Sequence, residues 1–345
     1  MFSSVDIQFL GAALVAHHCL DKSTSRVRCI IDSHLNLAAF VERFSSIEPR
    51  IDQQLHSETI REMVEASQPL ELGSQIPSIR PAIRFVRANG RDYVLKGSVP
   101  GSVAFFTEVE LLRNMRLGRV VQMMGCGEYE FGRFRNWIVL KYYPQGNLEE
   151  YFRGLPNLKD CLLILEQVAY GIYQFQTHNY PFNVHCDLKP YNIYLEENNA
   201  FIGDFGACLV DGDMRGSGGS MVYCESRNDI VVRQQDVCSV GLIILRAFAL
   251  PGLFIDGDGL TLEQWRERIK DVLARSSVWE GYSLSLFREG ITAECSDVFA
   301  TELLSLVNNC IKLPYQARPD IYSVVKHLRD IRCRLNFCDA LPEDF

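Results

Sequence analysis

The residues whose types and spacing point most directly to chemistry lie in the run HCDLKPYN, residues 185–192. Asp187, Lys189 and Asn192 fall within this run, and Asp204 follows as the first residue of the tripeptide Asp-Phe-Gly. Transfer of a phosphoryl group needs a residue that orients the attacking hydroxyl, cations that neutralise phosphate charge, and oxygen ligands that hold those cations. The sequence supplies each of these parts, so phosphoryl transfer is the chemistry that it predicts.

The order and spacing of these residues resemble the catalytic core of eukaryotic-type Ser/Thr protein kinases. The resemblance implies that Asp187 orients or deprotonates the substrate hydroxyl and that Lys189 touches the transferred phosphate. It also implies that Asn192 and Asp204 bind magnesium, a cation that prefers oxygen ligands. A lysine at position 189 is typical of Ser/Thr kinases rather than Tyr kinases, so the implied acceptor is a Ser or Thr hydroxyl on a protein.

The same resemblance assigns an ATP-binding pair upstream. Lys96 ends the run Tyr-Val-Leu-Lys and fits the strand lysine that binds the α- and β-phosphates of ATP. Glu108 fits its helix partner, and Glu110 is the less favoured alternative. The two residues of the favoured pair are only 12 positions apart, which predicts either a short connection between the strand and the helix or a shortened helix.

A segment that resembles the kinase hinge follows a predicted strand over residues 137–140. The resemblance implies that Lys141, Tyr142 and Tyr143 offer backbone groups to the adenine ring. ATP and magnesium are therefore the cofactors that the sequence predicts.

Sequence patterns predict the elements that must position these residues. Ile83 and Phe85 alternate with other residue types as in a strand, and the dipeptide Asn89-Gly90 is a strong hairpin signal. The strand after this turn carries Lys96. The other predicted elements of this small, mostly β lobe are a helix over residues 105–115 and strands at 120–121 and 137–140.

The chain before this lobe has a helical pattern without catalytic residue types. Ser57 is the predicted cap of a helix that Pro69 ends. Ile60 and Val64 fall on one face of that helix. We expect residues 1–72 to form an N-terminal extension, which is a candidate binding segment for a regulatory partner.

Beyond about residue 147 the pattern is helical, with Leu162, Leu165 and Val168 at the spacing of one buried helical face. The resemblance continues in residues 236–241 (DVCSVG), which match the buried helix that anchors the catalytic loop, and at Arg318. The predicted fold is α+β and bilobal, with a small, mostly β N-lobe and a larger, mostly helical C-lobe. Its predicted divisions are 1–72 for the extension, 73–143 for the N-lobe and hinge, and 144–345 for the C-lobe.

The amino-acid composition indicates which kinds of binding partner and which cellular compartment to expect. Acidic residues outnumber basic ones by 43 to 35, which argues against a nucleic-acid partner. Each apolar stretch is shorter than the roughly 18 residues of a membrane span. The 12 cysteines show neither zinc-ligand spacing nor a disulfide framework. We read them as reduced thiols of an intracellular protein, cytoplasmic or nuclear.

Three stretches depart from the kinase pattern. Residues 73–87 read GSQIPSIRPAIRFVR, whereas kinases normally have a Gly-rich loop here that covers the phosphates. Arg80 and Arg84 could replace that loop as phosphate ligands. The favoured interpretation is that they are solvated strand residues. Cys186 replaces the Arg that reads a phosphorylated activation loop, which predicts activity independent of such phosphorylation. The third stretch is Tyr-Cys-Glu, ending at Glu225, in place of Ala-Pro-Glu; this glutamate is still a candidate partner for Arg318.

Two other functions compete with an active protein kinase. The replaced Gly-rich loop leaves open a pseudokinase that acts as a binding scaffold or allosteric partner without turnover. A small-molecule phosphotransferase of the aminoglycoside or choline kinase type shares the spacing of Asp187 and Asn192. The motifs at residues 236–241 and at Arg318 argue against that third reading.

Overall fold

The structure is a computed structural model, and its described residues fall into two compact units. It describes residues 54–70, 82–115, 117–154, 156–178, 181–213, 230–248, 293–312 and 314–337. The first unit draws on Met1–Arg116 and Val121–Tyr142, and the second on Leu117–Val120 and Tyr143–Phe345.

The first unit is built around a five-stranded antiparallel sheet with strand order β1-β2-β3-β5-β4. Its strands are β1 (Gln68–Pro69), β2 (Ala82–Ala88), β3 (Arg91–Ser98), β4 (Met123–Phe131) and β5 (Phe134–Lys141). Two helices accompany the sheet, α1 (Ser57–Ala66) and α2 (Val103–Asn114). The predicted small, mostly β lobe is therefore confirmed.

The hairpin of β2 and β3 has the predicted two-residue turn. Asn89 and Gly90 have φ angles of 51° and 73°, and positive φ at both central residues is what a type I′ hairpin turn requires. The resulting register pairs Ile83 with Lys96 and Arg84 with Leu95. Because directly paired residues point to the same face of a sheet, Ile83 shares the face of Lys96, and Arg84 lies on the opposite face.

Helix α1 belongs to the core of the first unit. Ile60 and Val64 are fully buried in one cluster with Leu95 and Trp137. Since Leu95 faces away from Lys96, α1 covers the sheet face opposite to that lysine. Both α1 and β1 precede the boundary predicted at residues 72 and 73, and the structure places both in the sheet unit.

Two predicted details of this unit are wrong. Ser57 is the first residue of α1 rather than its cap, and no side chain of the described residues caps the helix at His56. Ser57 already has helical backbone, so its hydroxyl is not in the capping position. The strand predicted at 120–121 is absent: Val121 lies outside any strand, and Val120, which belongs to the second unit, forms only one isolated bridge, to Ile202 of the same unit.

The second unit is mostly helical, as predicted. Its elements are α3 (Leu148–Arg153), α4 (Leu158–Thr177), β6 (Ile193–Glu196), β7 (Asn199–Ile202), α5 (Gln234–Phe248), α6 (Ala293–Cys310) and α7 (Ile321–Arg334). Helix α4 packs against both α5 and α7. A buried charge cluster joins α4 to α7, because Glu166 lies 2.9 Å from Arg332 and 2.8 Å from Arg329. A buried carboxylate needs such partners.

The cysteines confirm the thiol prediction only in part. The described free cysteines are all buried: Cys126, Cys161, Cys186, Cys208, Cys238 and Cys310. Cys333 is instead disulfide-bonded. The prediction that every cysteine is reduced is therefore wrong at Cys333.

Within the described ranges, no helix combines the length and apolar character that crossing a membrane requires.

Candidate active site

In the sheet unit, Lys96 and Glu108 form a short ion pair. Lys96 Nζ lies 2.6 Å from Glu108 Oε2, and the two side chains are only 13% and 2% exposed. The connection from β3 to α2 spans residues 99–102 alone, which accounts for the short interval between the pair. Ser102 caps α2 by accepting a hydrogen bond from Phe105 N. Burial strengthens the attraction between the two charges and fixes the ammonium group on β3.

The alternative partner, Glu110, lies elsewhere on α2. Its carboxylate is 3.5 Å from Arg113 Nη1 on the same helix. The structure therefore brings Glu108, rather than Glu110, to Lys96.

Arg84 does not lie where a substitute phosphate ligand would be needed. Its guanidinium donates to Ser67 O at 2.6 Å and lies over the Phe131 ring, 4.9 Å from its centroid. Both contacts are on the sheet face opposite to Lys96. Arg84 is thus a structural residue of the sheet, neither a phosphate ligand beside Lys96 nor a simply solvated one, and Arg80 lies outside the described residues.

In sequence, the segment between β1 and β2 corresponds to the Gly-rich loop of the kinases that the chain resembles. Pro69 pairs with Arg84 across the two strands, so residues 70–81 connect one hairpin. Gly73 is the single glycine in this connection, which also contains Pro77 and Pro81. Residues 71–81 lie outside the described part of the chain.

The three hinge residues already use some of their backbone groups. Lys141 N donates to Gln122 O at 3.0 Å, and Tyr142 N donates to Asp92 O at 3.3 Å. Neither of these two N–H groups is therefore available to adenine in this arrangement. Tyr143 begins the next part of the second unit, where its ring packs against Phe201 at 4.8 Å.

In the second unit, two side chains of the catalytic loop, residues 185–192, contact Asp187. Lys189 Nζ lies 2.8 Å from Asp187 Oδ2. Asn192 Nδ2 donates to Asp187 O at 2.8 Å and to Oδ2 at 3.2 Å. The lysine and the asparagine thus hold the carboxylate in one orientation, which is what alignment of a hydroxyl nucleophile requires.

The hairpin of β6 and β7 brings the two predicted magnesium ligands to the same end. Ile193 pairs with Ile202, and Gly203 N donates to Asn192 O at 2.8 Å. Gly203 therefore lies directly opposite Asn192, and Asp204 is the next residue along the chain. Its backbone is left-handed, with φ 63°, a conformation that Asp tolerates better than most residues.

The donor set at this end of the hairpin fits magnesium. The amide nitrogen of Asn192 is turned to Asp187, which leaves its side-chain oxygen as the ligand atom. Asp204 adds a carboxylate, and hard oxygen donors of this kind suit the cation. Asn192 and Asp204 are the residues that would hold it.

Asp236 anchors the catalytic loop from α5. Its buried carboxylate accepts hydrogen bonds from His185 N at 2.9 Å and Cys186 N at 3.2 Å. Gln176 Nε2 donates to it at 3.1 Å. Burial raises the pKa of the Asp236 carboxyl, and these hydrogen bonds and the charge of His185 oppose the rise. Sequence reasoning missed Gln176. The sequence feature that could have identified it is its position as a polar residue directly after Phe175, where the apolar face of the helix ends.

The phenylalanine after Asp204 holds the start of the activation segment, residues 204–225. Phe205 is fully buried, with its ring centroid 5.4 Å from Phe175 and 5.0 Å from His185. A ring nitrogen of His185 is 3.1 Å from Gly203 O. His185 therefore connects the catalytic loop to the Asp-Phe-Gly tripeptide, a role that the sequence analysis did not assign.

Cys186 lies in an apolar environment. It forms a buried cluster with Val184 and Val231, against which Ala207 and Leu209 pack. Its backbone is left-handed, with φ 65°. The position where many kinases carry a phosphate-reading arginine is thus filled by a small apolar contact.

The end of the activation segment lies outside the described residues, including Glu225. Arg318 is buried and donates to Lys312 O at 2.9 Å and to Gln234 O at 3.0 Å. The predicted pair between Glu225 and Arg318 stays a prediction.

Comparisons with known proteins agree with this geometry. A family model described as the protein kinase domain matches residues 94–328. A probable LRR receptor-like serine/threonine-protein kinase of Arabidopsis thaliana is 25% identical over 258 residues, covering 68% of this chain and 25% of that protein. A leucine-rich repeat receptor-like protein kinase of the same plant is 28% identical over 207 residues, covering 53% and 19%.

A third relative has no receptor-like description. It is a probable serine/threonine-protein kinase of Arabidopsis thaliana, 23% identical over 248 residues, which cover 66% of this chain and 64% of that protein. By contrast, the chain spans a quarter or less of the length of the two receptor-like relatives.

Proposed function

The chain belongs to the protein kinase family, and on that premise we propose that it transfers the γ-phosphoryl group of ATP to Ser and Thr hydroxyls of protein substrates. The observation that carries the proposal is the arrangement around Asp187, whose carboxylate is held by both Lys189 and Asn192. The match to the protein kinase domain and the serine/threonine-protein kinase relatives, at 23–28% identity, support protein phosphorylation in general. The acceptor type and the dependence on ATP and magnesium belong to the proposal.

Each residue of the proposed site has a separate role. Asp187 orients the acceptor hydroxyl and takes its proton, while Lys189 stabilises the charge on the transferred phosphoryl group. Asn192 and Asp204 hold magnesium, which neutralises phosphate charge. Lys96, held by Glu108, binds the α- and β-phosphates.

Backbone groups of the hinge bind adenine in this proposal. The carbonyl of Lys141 and the N–H group of Tyr143 are its main contributors, because the N–H groups of Lys141 and Tyr142 already donate elsewhere and the Tyr143 carbonyl already accepts from Gly146 N. A protein regulator that binds through residues 1–72, and a cytoplasmic or nuclear location, stay predictions.

Labelled ATP tests the proposal. We would incubate the protein with γ-labelled ATP, magnesium and a mixed protein extract, beside Asp187→Asn and a matched control, Asp330→Asn, which changes an exposed aspartate on α7. The wild type and the control are expected to label protein, whereas Asp187→Asn is not. Equal labelling by all three would contradict the assigned role of Asp187.

A pseudokinase scaffold is the second candidate function. It is favoured by the connection between β1 and β2, where prolines lack the backbone donors that a phosphate-covering loop supplies. Thermal stabilisation by ATP and magnesium without any phosphoryl transfer would support this candidate over the first.

A further inference from the structure

A second charged cluster lies beside the catalytic loop and is used by none of the steps above. Glu149 on α3 is only 7% exposed and accepts hydrogen bonds from Arg246 on α5, from Nη2 at 2.6 Å and from Nε at 3.1 Å. Arg153 Nε is a third donor to this carboxylate, at 3.3 Å. Two guanidinium groups therefore share a single carboxylate.

Arg153 connects this cluster to the catalytic loop. Its Nη2 donates to the Tyr191 hydroxyl at 3.1 Å. Tyr191 directly precedes Asn192 in the turn Pro190–Asn192, and α3 packs against that turn. Arg153 is thereby held near the residues proposed to meet the acceptor hydroxyl.

The two arginines differ in how much of their charge is neutralised. Arg246 is 12% exposed and occupies both carboxylate oxygens of Glu149. Arg153 is 62% exposed and has one longer contact with the same group. The cluster keeps one net positive charge, which lies at the solvent-facing guanidinium.

The nearest acidic neighbour on α3 does not cancel this charge. Glu150 is turned back to the start of the helix, where its carboxylate accepts a hydrogen bond from Asn147 N at 3.3 Å. Nη1 of Arg153 has no hydrogen-bond partner among the residues that the structure describes. A planar guanidinium with a free donor edge binds carboxylates well.

We propose that Arg153 binds an acidic side chain, Asp or Glu, of the protein substrate close to the phosphorylated Ser or Thr. The inference rests on the proposed function and deepens it, because it names a specificity-determining residue and a class of substrate. Glu149 and Tyr191 position the guanidinium, and Arg246 neutralises Glu149 so that Arg153 keeps its charge for the substrate.

Peptides that differ in one charge test the inference. Each would carry one central Ser and a single Glu, Gln or Lys at one of several flanking positions in a neutral background, and kcat/KM would be measured for each peptide. At one or more positions we expect the wild type to prefer Glu over Lys by about tenfold, equal to about 1.4 kcal/mol. Arg153→Glu is expected to reverse that order.

The control variant is Arg135→Glu, which makes the same charge change at an exposed arginine of the sheet unit, paired with Glu128 at 3.0 Å. It is expected to keep the wild-type ratio. An unchanged Glu-to-Lys ratio in Arg153→Glu, or a wild type without charge preference, would overturn the inference. Arg153→Gln, expected to abolish the preference, replaces the first variant if that variant does not fold.

A binding measurement separates this inference from the proposed function. Fluorescence anisotropy of the labelled Glu and Lys peptides needs no turnover. If the wild type phosphorylates no peptide, the proposed function fails, while tighter binding of the Glu peptide that is lost in Arg153→Glu still supports the subsite. Equal binding of both peptides to both proteins would overturn the subsite alone.

Discussion

Asp187 and Asp204 are both carboxylates near the catalytic loop, yet their contacts give them separable roles. Asp187 is held by Lys189 and by Asn192. Asp204 lies at the end of the β6 and β7 hairpin and is, with Asn192, one of the two proposed magnesium ligands. Asp204→Asn removes a charged oxygen ligand, so we expect magnesium-dependent nucleotide affinity to fall by at least about tenfold. Asp187→Asn is expected to change that affinity less than about threefold, since it mainly affects the hydroxyl.

Titration of a fluorescent ATP analogue, with and without magnesium, measures both variants. The magnesium-free affinities serve as the control and are expected to be similar for all three proteins. Equal losses of magnesium-dependent affinity in the two variants would contradict the separation of roles.

Single residues were predictable where a motif fixes both type and order. Lys96 and Glu108 were assigned from sequence, and the structure places them in contact. Gln176 and Arg153 were not assigned, because their partners are distant in sequence: Gln176 meets Asp236 and Arg153 meets Tyr191. Such contacts arise from tertiary packing, and the local pattern around each residue does not identify its distant partner.

At the scale of elements, α5 holds the catalytic loop through Asp236. Asp236→Ala deprives the N–H groups of His185 and Cys186 of their acceptor. Each buried donor left unsatisfied costs about 1–3 kcal/mol, so we expect the free energy of unfolding to fall by at least about 2 kcal/mol. Phosphoryl transfer is expected to fall as well, because the loop that carries Asp187 loses its anchor.

The control for this variant is Asp320→Ala at the start of α7. Asp320 caps that helix by accepting a hydrogen bond from Ser323 N at 2.9 Å, and loss of a cap costs about 1 kcal/mol. Chemical denaturation and a transfer assay are expected to show a stability loss without loss of transfer. Wild-type transfer by Asp236→Ala would contradict the anchoring role.

The surroundings of Cys186 bear on regulation. Residue 186 is a cysteine packed against Val184 and Val231, so this position offers no cation to read a phosphate on the activation segment. We expect transfer to change less than about tenfold, equal to about 1.4 kcal/mol, in three variants that remove hydroxyls of this segment. These are Ser217→Ala, Ser220→Ala and Tyr223→Phe.

Phosphatase treatment of the wild type is the companion measurement, and the treated protein is expected to remain active. If dephosphorylation inactivates the protein and rephosphorylation restores activity, another cation such as Arg215 or Arg227 reads the phosphate. The inference from Cys186 would then be wrong.

At the scale of the whole molecule, α1 is part of the sheet unit rather than an appendage. Ile60 is fully buried against Leu95 and Trp137. Truncation of a buried isoleucine to alanine costs about 2–5 kcal/mol, so we expect Ile60→Ala to lower the free energy of unfolding by that amount. Glu62→Ala, at an exposed position of the same helix, is expected to change it by less than about 0.5 kcal/mol.

Urea denaturation followed by circular dichroism compares the two variants with the wild type. Equal stability of all three proteins would show that α1 does not contribute to the core.

The fold was predictable to the extent that local chemistry determines it. The hairpin of β2 and β3 follows from Asn89-Gly90, because few other dipeptides tolerate positive φ at both turn positions. The existence of α1 also followed from its apolar face. Its docking on the sheet did not, because Leu95 and Trp137 are far along the chain and each fits a buried strand without a helix above it.

The measurement that tests the central claim most directly is the rate of phosphoryl transfer from ATP and magnesium to protein, with the modified amino acids identified by mass spectrometry. The wild type is expected to produce phosphoserine and phosphothreonine, and Asp187→Asn to be at least about 100-fold slower, as loss of a general base requires. Binding of ATP and magnesium by the wild type without any phosphorylated product would contradict the claim and favour the scaffold.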